Sequence, residues 1–382
     1  MADALEYIPS RLRPLHVGQL NLPSWDKFEN EFRGIFERDF FGAHGPLEER
    51  LENALAEYLG VRHVICAVNA TVALMLTARA LDLRGDVLVP SFTFAATAQA
   101  LSWAGLNPVF CDVEIDTHNL SPRLVEQHMT AATSGILPVH LWGRACDVAG
   151  LEAVARRHNL KLFFDSAHAI GCTYNGTRIG GFGEAEIFSF HATKILNGAE
   201  GGCIATNNDD LAEKLRAMRT FDDNRTYIGA PLRINGKMSE AQAAMALLSL
   251  TELPENIEEN RGRYERYKQN LSSIEGLDFI DHAGNEASNF QYVVLQVTEN
   301  SPMTRDDILK ALASKNIYGR DYFSPPVHRM APYCQASQQV LPTTDLLATT
   351  LVQLPTGQAV SHQDVDAICE ILSVMMGAQN RT

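Results

Sequence analysis

Short apolar runs alternate with helical patterns from about residue 45 to residue 206. Gly45-Pro46 precedes a run, Leu47 to Leu59, whose apolar residues recur at helical spacing. Val61 to Val68 reads as a strand and Thr71 to Leu81 as a helix. Val87 to Pro90 is a strand, followed by a helix through Ala104. Further strands are predicted over Pro108–Cys111, Gly135–His140, Lys161–Asp165, Glu186–Phe190 and Gly202–Thr206, with helices between the earlier ones. Strands alternating with helices imply a mostly parallel sheet covered by helices, an α/β fold. Ligands of such sheets sit outside the carboxyl ends of the strands. Asn69, Asp165 and Ser189 fall there.

A helical stretch from Ser239 to about Leu271 follows, with Pro254 expected to break it. The remainder carries a strand over Phe290–Val297, a helix over Arg305–Lys315 and a terminal helix over Gln363–Met375, which suggests a smaller α/β domain. Residues 1–30, punctuated by Pro9, Pro14 and Pro23, read as irregular. The division expected is an N-terminal segment (1–30), a large domain (31–255) and a small C-terminal domain (256–382).

Composition narrows the function classes. With 46% hydrophobic and 20% charged residues, the 382-residue chain fits a globular enzyme. A formal net charge of -14 argues against nonspecific nucleic-acid binding, and an anionic substrate would need a local basic patch. Seven scattered cysteines form no CxxC pair, so neither a metal site nor a disulfide framework is expected, and a reducing cytoplasm is. No apolar run approaches the 18 residues of a membrane span, and the N-terminus does not read as a signal peptide.

One window carries chemistry. Between Glu186 and Glu200, Lys194 is the only formally charged side chain. Lysine is rarely buried without a task, and desolvation frees its amine to attack a carbonyl. Upstream, Leu162-Phe163-Phe164-Asp165 reads as a buried strand ending in a carboxylate. A carbonyl-seeking lysine and a buried aspartate are two parts of a pyridoxal phosphate (PLP) site: the lysine holds the aldehyde and the aspartate pairs the pyridinium nitrogen. Each has an ordinary reading too, Lys194 as a solvated residue and Asp165 as a turn or helix cap. Other segments supply further parts. Asn69-Ala70-Thr71, between strand and helix, offers N–H groups to a phosphate, unless it merely caps the helix. Ser189 adds a strand-end hydroxyl, Glu200-Gly201-Gly202 a flexible turn, and Phe94 an aromatic able to stack on a pyridine face.

Together these segments resemble the DegT/DnrJ/EryC1/StrS family of PLP-dependent sugar aminotransferases, from about residue 10 to the C-terminus. The resemblance rests on Gly45-Pro46, Asn69-Ala70-Thr71, Pro90-Ser91-Phe92-Thr93-Phe94, Val139-His140-Leu141-Trp142-Gly143 and Asp165-Ser166-Ala167-His168. It continues through Ser189 to Lys194, Glu200-Gly201-Gly202 and Asn235-Gly236-Lys237-Met238-Ser239. It implies a fold-type I aminotransferase, with Lys194 as Schiff-base lysine and proton shuttle, and Asp165 at the ring nitrogen. It also implies His168 near the ring hydroxyl, Phe94 stacked on the ring, and Ala70, Thr71 and Ser189 on the phosphate. Asn235 would reach the phosphate of the neighbouring subunit in a homodimer with shared sites. Ala70 stands where many members carry Gly, and Phe94 where some carry Trp.

Tyr322 to Met330 looks like the branch acting on nucleotide-linked 4-keto-6-deoxyhexoses (dTDP- or GDP-linked), with glutamate as donor. Candidate substrate contacts are Arg320, His328 and Arg329. Arg219, Arg225, Arg233 and Lys237 are further candidates for the pyrophosphate. Three other readings stand beside this one: another keto sugar or cyclitol ketone as acceptor, a PLP-dependent sugar dehydratase, and a non-enzymatic regulatory or sensor protein. The dehydratase relatives carry His where Lys194 stands. Intact Lys194, Asp165 and Ser189 argue against a mere sensor.

Overall fold

The computed structural model describes residues 13–221, 232–282, 286–336 and 339–377. Along the chain the strands are β1 (Leu15–His16), β2 (His63–Ala67), β3 (Asp86–Pro90), β4 (Asn107–Cys111), β5 (Thr133–Ile136), β6 (Lys161–Asp165), β7 (Thr173–Tyr174) and β8 (Thr177–Arg178). Then come β9 (Ala185–Ser189), β10 (Gly202–Thr206), β11 (Leu277–Phe279), β12 (Val293–Val297), β13 (Ile317–Tyr318) and β14 (Leu351–Leu354). Seven strands form the main sheet in the order β2-β10-β9-β6-β5-β3-β4. Every neighbouring pair from β9 to β4 is parallel, and β10 alone runs against its two neighbours. The mostly parallel sheet is therefore as expected.

The apolar runs are continuous because both faces of the sheet are covered. Phe163, Ile187 and Ile204 pack on one face against the helices Ala70–Ala80, Ala95–Trp103 and Asp209–Met218. On the other face, Phe188 and Cys203 pack against Pro46–Leu59 and Glu240–Leu271, and Leu162 and Phe164 against Val148–His158. A second, antiparallel sheet, β11-β12-β14, is backed by Arg305–Ser314 and His362–Met375.

Four details depart from expectation. The helix Glu240–Leu271 runs unbroken through Pro254. Pro254 lies on its exposed side, and the helix is braced by Pro46–Leu59, Trp25–Glu37 and His362–Met375, so tertiary packing outweighs one missing N–H. The helix also crosses the 255/256 division. Residues 13–30 are not wholly irregular, since β1 pairs in parallel with β13 and the helix Trp25–Glu37 spans the 30/31 division. Finally, β5 stops at Ile136 before Pro138, and β12 starts only at Val293, because Phe290 adopts a left-handed backbone (φ 49).

Candidate active site

A cavity of about 450 Å³ opens at the carboxyl ends of β2, β6 and β9. It gathers Ala70, Thr71, Phe94, Asp165, His168, Ser189, Lys194 and Arg320, eight of the eleven residues singled out from sequence.

Asp165 ends β6 and is buried, because the strand runs through the middle of the sheet. Its Oδ2 accepts from Thr97 Oγ1 at 2.8 Å and its Oδ1 from the Ala167 N–H at 3.1 Å. Burial raises its pKa, against the pull of these donors and of Lys194. A carboxylate held this way is stabilised by a cation in the cavity, as a pyridinium N–H would provide.

Lys194 lies in the turn after β9, half-buried. Desolvation depresses its pKa to about 8, although nearby Asp165 raises it; Arg320 lowers it further. Its Nζ donates to Tyr292 Oη at 3.0 Å. Next to it, His168 is kept neutral by burial, with Lys194 adding to the effect. The Trp142 N–H donates to His168 Nδ1 at 3.3 Å. That bond assigns the hydrogen to Nε2, leaving a neutral donor for a ring hydroxyl. Trp142 adopts a left-handed backbone (φ 59), a strained state kept where the surroundings over-determine it.

At the other end, Asn69 caps the helix Ala70–Ala80 by accepting from the Val72 N–H at 2.9 Å. Capping and anion binding are therefore not alternatives. Asn69 takes the third N–H, while those of Ala70 and Thr71, which have no helical carbonyl to bond, open on the cavity beside Ser189. β10 stays close behind them because Gly202 has no side chain: a Cβ there would come within 2.7 Å of the Ala70 nitrogen. Phe94 stands exposed at the start of the helix Ala95–Trp103, lining the cavity. Anion donors at one end, a buried carboxylate at the other, and a lysine and an aromatic between them fit PLP.

The remaining three residues lie elsewhere. His328 is fully buried, bonded through Nδ1 to Ser91 Oγ at 2.6 Å. Arg329 grips Asp345, with Nη2 to Oδ2 at 2.7 Å. Neither lines the cavity; both sit in a short 3-10 turn, His328 buried and Arg329 exposed, apart from the other candidates. Asn235 is exposed and also lies outside this chain's cavity. Its neighbour Gly236 is tied down by backbone bonds to Val68 and Arg219. Among the pyrophosphate candidates, Arg219 is buried and paired with Glu48 and Glu52, each at 2.7 Å. Arg225 lies outside the described residues.

Sequence reading passed over Thr97 and Tyr292, and marked Tyr322 only as the start of the Tyr322–Met330 segment. Thr97 lies one helical turn past Phe94, but its bond to Asp165 spans 68 residues and needs the fold to reveal it. Tyr292 lines the cavity from just before β12, and no local pattern marks it.

Residues 25–373 match the DegT/DnrJ/EryC1/StrS aminotransferase family. The dTDP-4-amino-4,6-dideoxy-D-glucose transaminase of Shigella dysenteriae is 34% identical over 333 residues, covering 85% of this chain and 89% of that protein. GDP-perosamine synthase of Caulobacter vibrioides is 34% identical over 330 residues, with the same coverage of 85% and 89%. The crystal structure of DesI in the presence of its TDP-sugar product superposes with a TM-score of 0.93 at 39% identity, covering 98% of this chain and 97% of that one. The chain belongs to the DegT/DnrJ/EryC1/StrS aminotransferase family.

Proposed function

We propose that this PLP-dependent aminotransferase moves an amino group from glutamate to a nucleotide-linked 4-keto-6-deoxyhexose. It would act in the cytoplasm as a homodimer whose sites are shared through Asn235. The observation that carries the reading is one cavity holding Lys194, Asp165 and His168 with the phosphate-binding turn at Ala70 and Thr71. The names of the Shigella and Caulobacter relatives and of the DesI complex support a nucleotide sugar as acceptor.

When bound, PLP supplies an aldehyde for the amine and a ring that accepts electrons. The chain supplies the rest. Ala70, Thr71 and Ser189 would hold the phosphate. Asp165 would keep a proton on the ring nitrogen, and His168 would offer Nε2–H to the ring hydroxyl. Phe94 would stack on the ring and shield it from water. Lys194, with a pKa of about 8, both takes and returns a proton near neutral pH. Arg320 offers the cavity a cation for an anionic substrate.

The test is a screen of nucleotide-linked keto sugars with glutamate, read by mass spectrometry for the amino sugar and 2-oxoglutarate. Amination of a dTDP- or GDP-linked 4-keto-6-deoxyhexose is expected. Activity only on a free cyclitol ketone overturns the substrate, and loss of water without amination overturns the reaction.

A further inference from the structure

The hydroxyl of Tyr292 meets Lys194 Nζ at 3.0 Å and is the one hydrogen-bond partner of that amine among the described residues. It comes from one residue before β12, the central strand of the small sheet. Its ring is nearly fully buried, 4.4 Å from His168 and 5.3 Å from Trp142 between centroids. The approach is clamped. The Ile195 N–H, adjacent to Lys194, donates to Gln291 Oε1 at 2.6 Å. Asn289 Nδ2 donates to the carbonyls of His168 and Ile170 at 2.9 and 3.0 Å. Phe290 between them holds its left-handed backbone. The segment is thus fastened to the lysine turn and to the His168 turn at once, and the hydroxyl cannot swing away.

We propose that Tyr292 is a positioning residue that receives the Lys194 amine whenever it is not bonded to the cofactor and holds it in line for proton transfer. A phenol suits this because it serves both protonation states. Its oxygen accepts from the ammonium. After deprotonation the hydroxyl turns and donates to the amine lone pair. Burial raises the tyrosine's own pKa, so it remains a phenol throughout. Phenylalanine would fill the same space and serve neither state. The inference rests on the aminotransferase reading but not on the identity of the sugar.

The experiment is carried out first without cofactor. Competitive acetylation at graded pH, resolved by peptide mass spectrometry, gives the titration midpoint of Lys194, expected near 8 in the unmutated apoenzyme. A hydrogen bond to the charged form is stronger than one to the neutral form, so Tyr292→Phe should lower that midpoint by roughly half a unit to one unit. Asp165, Arg320, His168 and Tyr322 also face this space and are unchanged in the variant. In the PLP-loaded enzyme kcat should fall roughly tenfold or more, with both KM values within about twofold. An unchanged midpoint with kcat within about twofold overturns the proposal, as does a drop in thermal stability alone. Should the variant not fold, the unmutated apoenzyme decides. The phenolic carbon of Tyr292, followed by NMR, should shift with the Lys194 titration and lose that step in Lys194→Ala. Absence of the step overturns the proposal.

Discussion

At the scale of the residue, the site is a set of groups made unusual by where they are held. Lys194 is an ordinary amine displaced toward neutrality by burial, and Asp165 an ordinary carboxylate denied water. Lys194→Ala should still bind PLP, lose the visible absorbance of the lysine-linked cofactor, and slow turnover by roughly 10²–10⁴-fold or more. Wild-type turnover would remove Lys194 from the reaction. Asp165→Asn keeps the shape and one of the two acceptor oxygens but removes the charge that would hold a proton on the ring. Turnover should fall roughly a hundredfold or more, with the far-ultraviolet circular dichroism unchanged. Equal rates in the two proteins would mean that another group pairs the ring nitrogen.

At the scale of the element, two features without charge are decisive. Gly202 lets β10 lie against the first turn of Ala70–Ala80. Gly202→Ala should push that turn away and weaken PLP affinity, measured by cofactor titration, more than it lowers the unfolding temperature. Unaltered affinity would show that the turn has room to spare. Pro254 lies in the exposed side of a braced helix, so Pro254→Ala restores one backbone donor without disturbing a contact. The unfolding temperature should rise by about 1–3 °C with activity unchanged; a fall would show that the proline is required there. The same two elements show what sequence reveals. Most strands of the main sheet could be read within a few residues because they are largely apolar, whereas β5, Thr-Ser-Gly-Ile, lies earlier in the chain than its pattern predicts. Pro254 misled because a local rule was overruled by packing from three other helices. For His328 and Arg329 a motif marks a place in the chain, and only the fold shows that Ser91 and Asp345 hold those side chains.

At the scale of the whole molecule, the proposed dimer has support on the surface. Trp25, Phe36 and Phe41 are exposed, Phe41 packing edge-on against Phe36, and Phe221 is exposed as well. Side chains of this size left to water suit a covered face. If Asn235 serves the partner's cofactor, Lys194→Ala and Asn235→Ala are each defective alone. A mixed dimer then regains one intact site, built from one chain's lysine and the other's asparagine. Activity should rise on mixing and reassembly; no rise, with subunit exchange verified, would place Asn235 in its own site. The pairing of β1 with β13 has a consequence for biosynthesis. Val17 and Gly18, just after β1, line the cavity, yet β1 has no partner until Ile317 has been made. Tyr292 also reaches the ribosome exit long after Lys194. At about 5–20 residues per second, translation leaves the lysine turn waiting several seconds without its opposite wall. A stalled nascent chain ending before β13 should therefore fail to retain PLP, and capture should begin only once Tyr318 has cleared the tunnel. On this reading the cofactor is kept only by a chain whose β1 has met β13.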